Sequence, residues 1–215
     1  MGTSHFVCVW YKGGFVVTQY GQHDGCPKWA GVKILEFLRV PENIQKLQKG
    51  LQYIYKPSKE ERDKAIVDID ELLLGPNTAA RRAWGYFLHH PNNLKEITQS
   101  LSLSLSLHSW TGVGILALIA SACEFRKCPV WLEPEPEFAR GILSCEWAYV
   151  VDLDQQVLEV FHNYEMKTPG HRFADIDSDE LPSLVSSIRF SELEHMDQQQ
   201  FLTLADKEDE DELLY

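Results

Sequence analysis

The sequence predicts an α+β fold in which layered antiparallel strands pack with helices. Three observations carry that expectation: hairpin patterns towards both ends, a helical block between them, and no glycine-rich nucleotide loop following a strand. Strand runs separated by helices in this way argue against a doubly wound parallel sheet.

Phe6–Tyr11 and Phe15–Tyr20 are β-branched and aromatic runs joined by Lys12-Gly13-Gly14, whose glycines supply the positive φ of a tight hairpin. Trp29, Val32, Leu35 and Leu38 then recur at a helical period. Pro41 suits the first position of a second helix carrying Ile44, Leu47, Leu51 and Ile54. Ser58 and Glu61 have capping-box spacing and open a third helix that stops at Gly75-Pro76; Thr78–His89 predicts a fourth. Leu101–Leu107 alternates Leu with Ser, which fits either a half-buried strand or a low-complexity loop.

Trp110–Cys123 reads as a buried helix with Ser109 or Thr111 as its N-cap. Cys145–His162 is the second hairpin, turning near Asp154-Gln155. Val185–Phe190 predicts a further strand, and Ser191 with Glu194 a capping box for the short helix after it. Residues 1–204 are expected to form one domain and 205–215 a solvated acidic tail.

Composition narrows the function classes. A chain of 215 residues with 44% hydrophobic content can bury one substantial core. The formal charge of −12 is concentrated at 175–180 and 206–212, with no facing Lys/Arg block, so broad electrostatic binding to DNA is not expected. A local patch for RNA remains compatible with that charge. Five irregularly spaced cysteines point to a reducing compartment. Cys123-x4-Cys128 and His89-His90 lack the usual spacing of a structural zinc site, so neither metal nor cofactor is expected. The N-terminus lacks a signal pattern, and the apolar run Val113–Cys123 is too short to span a bilayer. The expectation is a soluble, cytoplasmic protein without a membrane partner.

Candidate chemistry lies beside the hairpins. The second strand delivers Gln19 and Tyr20 to the turn Gly21–Pro27, which holds Gln22, His23, Asp24 and Cys26. One reading is a helix cap in which Asp24 accepts the first helical amides. The other is a binding or catalytic site, in which His23 and Cys26 can form a base–thiolate pair across the turn. On the second hairpin, strand period puts Glu146 and Asp152 on one face and Trp147, Tyr149 and Val151 on the other. Glu146 with a tyrosine can act as acid and base if burial raises the carboxyl. Otherwise the carboxylate face meets water, and Asp152 and Asp154 shape the turn. If the hairpins are neighbours, Gln22, Asp24 and Glu146 can converge on a cationic group such as a guanidinium.

The order Met1-Gly2-Thr3-Ser4, strand, Lys12-Gly13-Gly14, returning strand and Asp24 resembles the start of N-terminal-nucleophile (Ntn) hydrolases such as proteasome subunits and bile-salt or penicillin amidases. That resemblance covers about the first 35 residues. It implies Thr3 as nucleophile, its own α-amine as base and Asp24 as orienting carboxylate. Removal of Met1 exposes Gly2, however, and leaves Thr3 within a peptide bond. A second resemblance spans three segments, "QYGQHDGCP", "TGVGILALI" and "CEWAYVVDLDQQVLEVF". Their order is similar to that of an uncharacterised family of phage, bacterial and fungal proteins with a QYGQWDGYP-like turn and an EWAYVIDLD-like hairpin. His23 and Cys26 stand where that family has Trp and Tyr. This resemblance implies a shared fold and no particular reaction.

Three function classes follow. The first is an enzyme of amide- or peptide-bond chemistry, an amidohydrolase or acyl-transfer enzyme, acting on a small, amino-acid-like substrate, a cationic one being suited by the carboxylates. Its catalytic candidates are Thr3, Tyr20, Asp24, Cys26 and Glu146, and its substrate-binding candidates Gln19, Gln22, His23, Trp147 and Tyr149. The second is an aminoacyl-tRNA-dependent synthase of arginine-containing cyclodipeptides. The third is a non-catalytic binding module retaining an Ntn-like fold.

Overall fold

The computed structural model describes residues 3–74, 103–130, 145–162, 172–173 and 183–205. The first hairpin is β1 (His5–Tyr11) and β2 (Gly14–Gly21), turning on Lys12 and Gly13 at φ 55° and 78°. Pro27–Gly31 then makes a π-helical turn that runs into α1 (Val32–Leu38), and α2 (Pro41–Gly50) follows with its proline at the first helical position. The short strand β3 (Ile54–Tyr55) pairs in parallel with β4 (Cys128–Pro129). Between them lie α3 (Lys59–Leu74), a 3-10 turn at Leu103–Leu107 and α4 (Gly114–Ala120). Strands β5 (Trp147–Asp152) and β6 (Val157–His162) form the second hairpin. The last elements are β7 (Ser183–Arg189), α5 (Phe190–Leu193) and α6 (Gln198–Ala205).

The main sheet of the described residues has five strands in the order β2-β1-β5-β6-β7. Its strands are mixed in direction: β1 and β5 run parallel, His5 beside Trp147 through Trp10 beside Asp152, while the other neighbours are antiparallel. This corrects the expectation of purely antiparallel layers. Each hairpin is antiparallel by its own tight turn, but the contact between hairpins is set by their docking, which no local turn dictates.

Strand alternation sorts the side chains onto two faces. Val7, Val9, Tyr149, Val151, Leu158 and Val160 join α1, α2, α4 and α6 in the larger core, where Phe37, Ile34, Leu35, Leu38 and Leu47 are completely buried. Burying each such side chain contributes roughly 1.5–3 kcal/mol. Phe6, Cys8, Ala148, Val150, Phe161 and Phe173 form a second cluster on the opposite face. All five cysteines carry free thiols.

Several local expectations hold and several shift. Ser58 and Glu61 exchange capping bonds of 2.8 and 3.2 Å, as their spacing predicts. Trp29, expected on the buried helix face, is 53% exposed because the π turn breaks the helical register there. Leu103–Leu107 is a 3-10 turn and neither a strand nor a loop. Trp110 lies outside α4, which starts at Gly114 without a side-chain cap. Before α5 the Glu192 carboxylate accepts the Arg189 amide at 3.3 Å, two residues ahead of the expected Ser191–Glu194 box, and Arg189 offers no side-chain cap in return. Ala205, placed in the tail by sequence, is the buried last residue of α6. The Thr78–His89 segment and residues 206–215 lie outside the described residues. Among those described, no helix is long and apolar enough to cross a membrane.

Candidate functional site

The start of β1, the end of β2 and the loop before α4 meet at one end of the sheet, around His5. Strand pairing sets His5 opposite Gly21. The imidazole is buried, and neither ring nitrogen has a hydrogen-bond partner among the described residues. Burial, aided by the positive charge of Lys33, pushes its pKa down to about 3, so the ring is neutral near pH 7. An unsatisfied buried polar group costs roughly 1–3 kcal/mol, so the surrounding packing holds the ring there against its hydrogen-bonding preference.

Glycines allow this placement. A Cβ at Gly21 would lie inside the ring's van der Waals contact, and one on Gly112 would sit 2.9 Å from Nε2. At Gly25 the added atom would lie 2.8 Å from the His5 Cβ and 2.9 Å from the Thr3 carbonyl oxygen. Gly112 also has a φ of 43°, in the left-handed region that favours glycine. Tyr149, fully buried, meets the His5 ring edge-on at 6.5 Å and donates its hydroxyl to the Gly25 carbonyl at 2.8 Å.

Polar bonds join the turn to its neighbours. The Gly25 amide donates to both the carbonyl and the hydroxyl oxygen of Thr3, each at 2.9 Å. The Gln22 amide donates to the Ser109 carbonyl at 3.0 Å, and Ser109 Oγ donates to Gln22 Oε1 at 3.2 Å. Gln19, buried on the helix-facing side, donates from Nε2 to the carbonyls of Tyr20 and His108. Thus the three segments "QYGQHDGCP", "TGVGILALI" and "CEWAYVVDLDQQVLEVF" meet here, through Gly25, Gly112 and Tyr149.

The remaining candidates take distinct places. Asp24 is exposed at φ 56°, with its carbonyl accepting the Ala30 amide at 3.1 Å; the N-cap residue is Cys26, without a side-chain cap bond. Asp24 acts electrostatically on Lys33, whose pKa burial lowers and the Asp24 and Glu36 charges raise. Cys26 is half-buried against the larger core, whereas His23 is exposed and its ring lies 6.1 Å from Trp110. Tyr20 sits on the face opposite Gln19, edge-on to Phe6 at 5.7 Å. Burial and nearby Cys145 raise its hydroxyl pKa against a hydrogen bond from Ser4. Glu146 is exposed, and its amide donates to the Ser4 carbonyl at 3.2 Å. Trp147 is buried 3.8 Å from the His162 ring.

Asp152 corrects the picture of a carboxylate face in water: it is fully buried and pairs with Arg172 at 2.5 Å, at the far end of the same strand. Among the described residues no three His, Cys, Asp or Glu side chains gather as a metal site. The site's chemical inventory is a hydroxyl at Thr3, a neutral imidazole at His5, an ammonium at Lys33 and a carboxylate at Asp24. His5 and Lys33 escaped sequence reading; the one local signal was that Thr3 and His5 are alternate residues and so share a face of an extended chain.

Fold and site together define an α+β protein with a mixed sheet and a histidine-centred polar cluster at one sheet end. Compared with family models, curated proteins and solved structures, the chain matches none.

Proposed function

We propose that this chain is an enzyme of amide-bond chemistry, an amidohydrolase or acyl-transfer enzyme, acting in the cytoplasm on a small amino-acid-like substrate. The observation that carries the reading is Thr3: its hydroxyl oxygen accepts the amide of Gly25, the residue next to Asp24, whose charge in turn acts on Lys33. A hydroxyl nucleophile needs a nearby proton acceptor and charges that stabilise the transition state, and this cluster supplies groups of both kinds. The order of Thr3, hairpin and Asp24, with helices packed on the sheet, supports an Ntn-like arrangement. Exposed Asp24 and Glu146 suit a cationic side chain on the substrate.

The test is hydrolysis of arginine and lysine p-nitroanilides by the purified full chain. Release of p-nitroaniline is expected, with a loss on the order of 10²-fold or more in Thr3→Ala at an unchanged melting temperature. Turnover that survives Thr3→Ala, or no turnover of any amino-acid amide or ester, sinks the reading.

A second reading, transfer of an amino acid from aminoacyl-tRNA as in arginine-containing cyclodipeptide synthesis, is favoured by one feature. Trp110, 47% exposed, stands 6.1 Å from the His23 ring and 5.4 Å from that of His108. Such an aromatic ledge can stack a nucleobase for about 1–3 kcal/mol. Quenching of Trp110 fluorescence by tRNA, lost in Trp110→Ala, supports that reading; no quenching at low salt rejects it.

A further inference from the structure

We infer that Trp110, His23 and Gln22 form a binding site for an adenine nucleoside, whose base stacks on the indole and presents its edge to the Gln22 amide. The site deepens the aminoacyl-tRNA reading, on which it rests for the source of the nucleoside: free adenosine, or the single-stranded adenosine that ends a tRNA.

Two aromatic rings supply the walls. Trp110 is 47% exposed, so a broad part of the indole is open to a flat ligand. The exposed His23 ring stands 6.1 Å away and tilted by 55°, a second wall at an open angle. The His108 ring meets the indole edge-on at 5.4 Å, and its Nδ1 accepts the Trp110 amide at 3.1 Å, so one side chain holds both the ring and the backbone of residue 110. Stacking attracts any nucleobase to such a corner.

A polar edge selects among bases. Ser109 Oγ donates to Gln22 Oε1 at 3.2 Å, which holds the amide beside residue 110 and orients it. The Gln22 side chain is exposed, and one such bond leaves a lone pair on Oε1 and the Nε2 hydrogens for a ligand. A glutamine amide pairs with adenine in two places, donating to N7 and accepting from the N6 amine. Guanine offers two acceptors along the same edge and matches only half of that pattern. A two-ring purine also covers more of the indole than a pyrimidine does.

Charge limits what else the ligand carries. The chain has a net charge of −12 and no Lys/Arg-rich block, and exposed Asp24 follows His23 directly. A single base needs no bank of cations, whereas a long phosphate backbone does. The corner is also built before any ligand arrives. The Gln22 amide donates to the Ser109 carbonyl at 3.0 Å, and the Thr111 amide to the His108 carbonyl at 3.0 Å. Gln19 Nε2 donates to the same His108 carbonyl at 3.3 Å, and the Thr111 hydroxyl to the Leu105 carbonyl. Little loop ordering is left to oppose binding.

Equilibrium dialysis of the purified full chain against radiolabelled adenosine, guanosine and cytidine tests the site. The wild type is expected to bind adenosine saturably, about 5-fold or more tighter than the other two. Trp110→Ala should weaken adenosine binding about 10-fold or more, and Trp110→Phe, which keeps a ring, should retain most of it. Gln22→Ala should still bind adenosine but lose the preference over guanosine. No saturable adenosine binding, equal affinity for the three nucleosides in the wild type, or unchanged adenosine affinity in Trp110→Ala overturns the site. Should Trp110→Ala fail to fold, oxidation of wild-type Trp110 by N-bromosuccinimide, read by peptide mapping, replaces it: protection by adenosine supports the site, and no protection overturns it. Intact tRNA and tRNA stripped of its terminal adenosine separate the two sources. Binding lost on stripping marks tRNA as the source and supports the aminoacyl-tRNA reading. Adenosine binding without tRNA binding keeps the site and removes that reading.

Discussion

Arg172 closes a buried charge cluster on Asp152: its guanidinium reaches the Asp152 carboxylate at 2.5 Å, grips Glu159 at 2.8 and 3.1 Å, and lies 4.3 Å from the centre of the Trp10 ring. Asp152 Oδ1 also accepts the amides of Asp154 and Gln155, both at 2.8 Å, so the cluster fixes the turn between β5 and β6. Removing one partner strands two carboxylates at low exposure. Arg172→Met should lower the unfolding free energy by about 3–5 kcal/mol in urea titrations. The double variant Arg172→Met/Glu159→Gln should lose less, because one stranded charge is gone. Equal losses in the two would show that packing on Trp10, and not charge, sets the cost.

The same end of the sheet is held by Asp154, whose two carboxylate oxygens accept the amides of Gly13 and Lys12, each at 2.9 Å. Those bonds, Gly13 first, hold its pKa below the ordinary 3.8. The folded state thus favours the ionised form, and the stabilisation is fully present above pH 3.8 and lost as pH falls through the depressed value. Asp154→Asn should melt lower than wild type at pH 6, and the gap should close as pH drops below 3.8. A gap independent of pH over that interval would remove the carboxylate from this role.

How much of this was legible depended on distance along the chain. The hairpins, the Ser58–Glu61 box and the Pro41 start are written within a few residues, and they are where the sequence puts them. The Leu-Ser alternation mimics a strand, yet Leu105, Ser106 and Leu107 are all buried, since the Ser106 hydroxyl donates to the Pro129 carbonyl. Alternation there carries no facial meaning. The parallel β1–β5 contact, the Asp152–Arg172 pair and the His5 cage each join segments brought together only by the finished fold. A capping pair is local but was missed: Asp197 and Gln200 exchange bonds of 2.9 and 2.8 Å before α6. Asp197→Ala should cost about 1 kcal/mol of unfolding free energy.

His5 and Gly21 are coupled sterically, since a Cβ on Gly21 would overlap the ring. Gly21→Ala should therefore destabilise by about 1–3 kcal/mol, the usual range for an overpacked interior. In a His5→Ala background the ring is absent, and the same substitution should be nearly neutral. A double-mutant cycle on chemical unfolding measures that coupling. An equal cost in both backgrounds would place the strain in the backbone of Gly21 and not at the ring.

His5 also predicts the acid behaviour of the whole fold. Its folded pKa of about 3 lies far below the ordinary 6.5, because burial and Lys33 both oppose the charged ring. The unfolded chain therefore binds a proton that the folded chain refuses. Stability from this group is fully present above pH 6.5 and drains as pH falls towards 3, at up to about 1.4 kcal/mol per pH unit. Carboxylates such as Asp154 lose their contribution only below 3.8, so the interval from 6.5 to 4 reports mainly on histidines. His5→Phe removes both the titration and the unsatisfied nitrogens, but adds ring volume beside Gly21. His5→Gln keeps the volume lower and also lacks the titration. Unfolding curves at pH 7 and pH 4.5 should show a drop in wild-type stability that is smaller in both variants; a drop of the same size in all three proteins would mean that another histidine carries it.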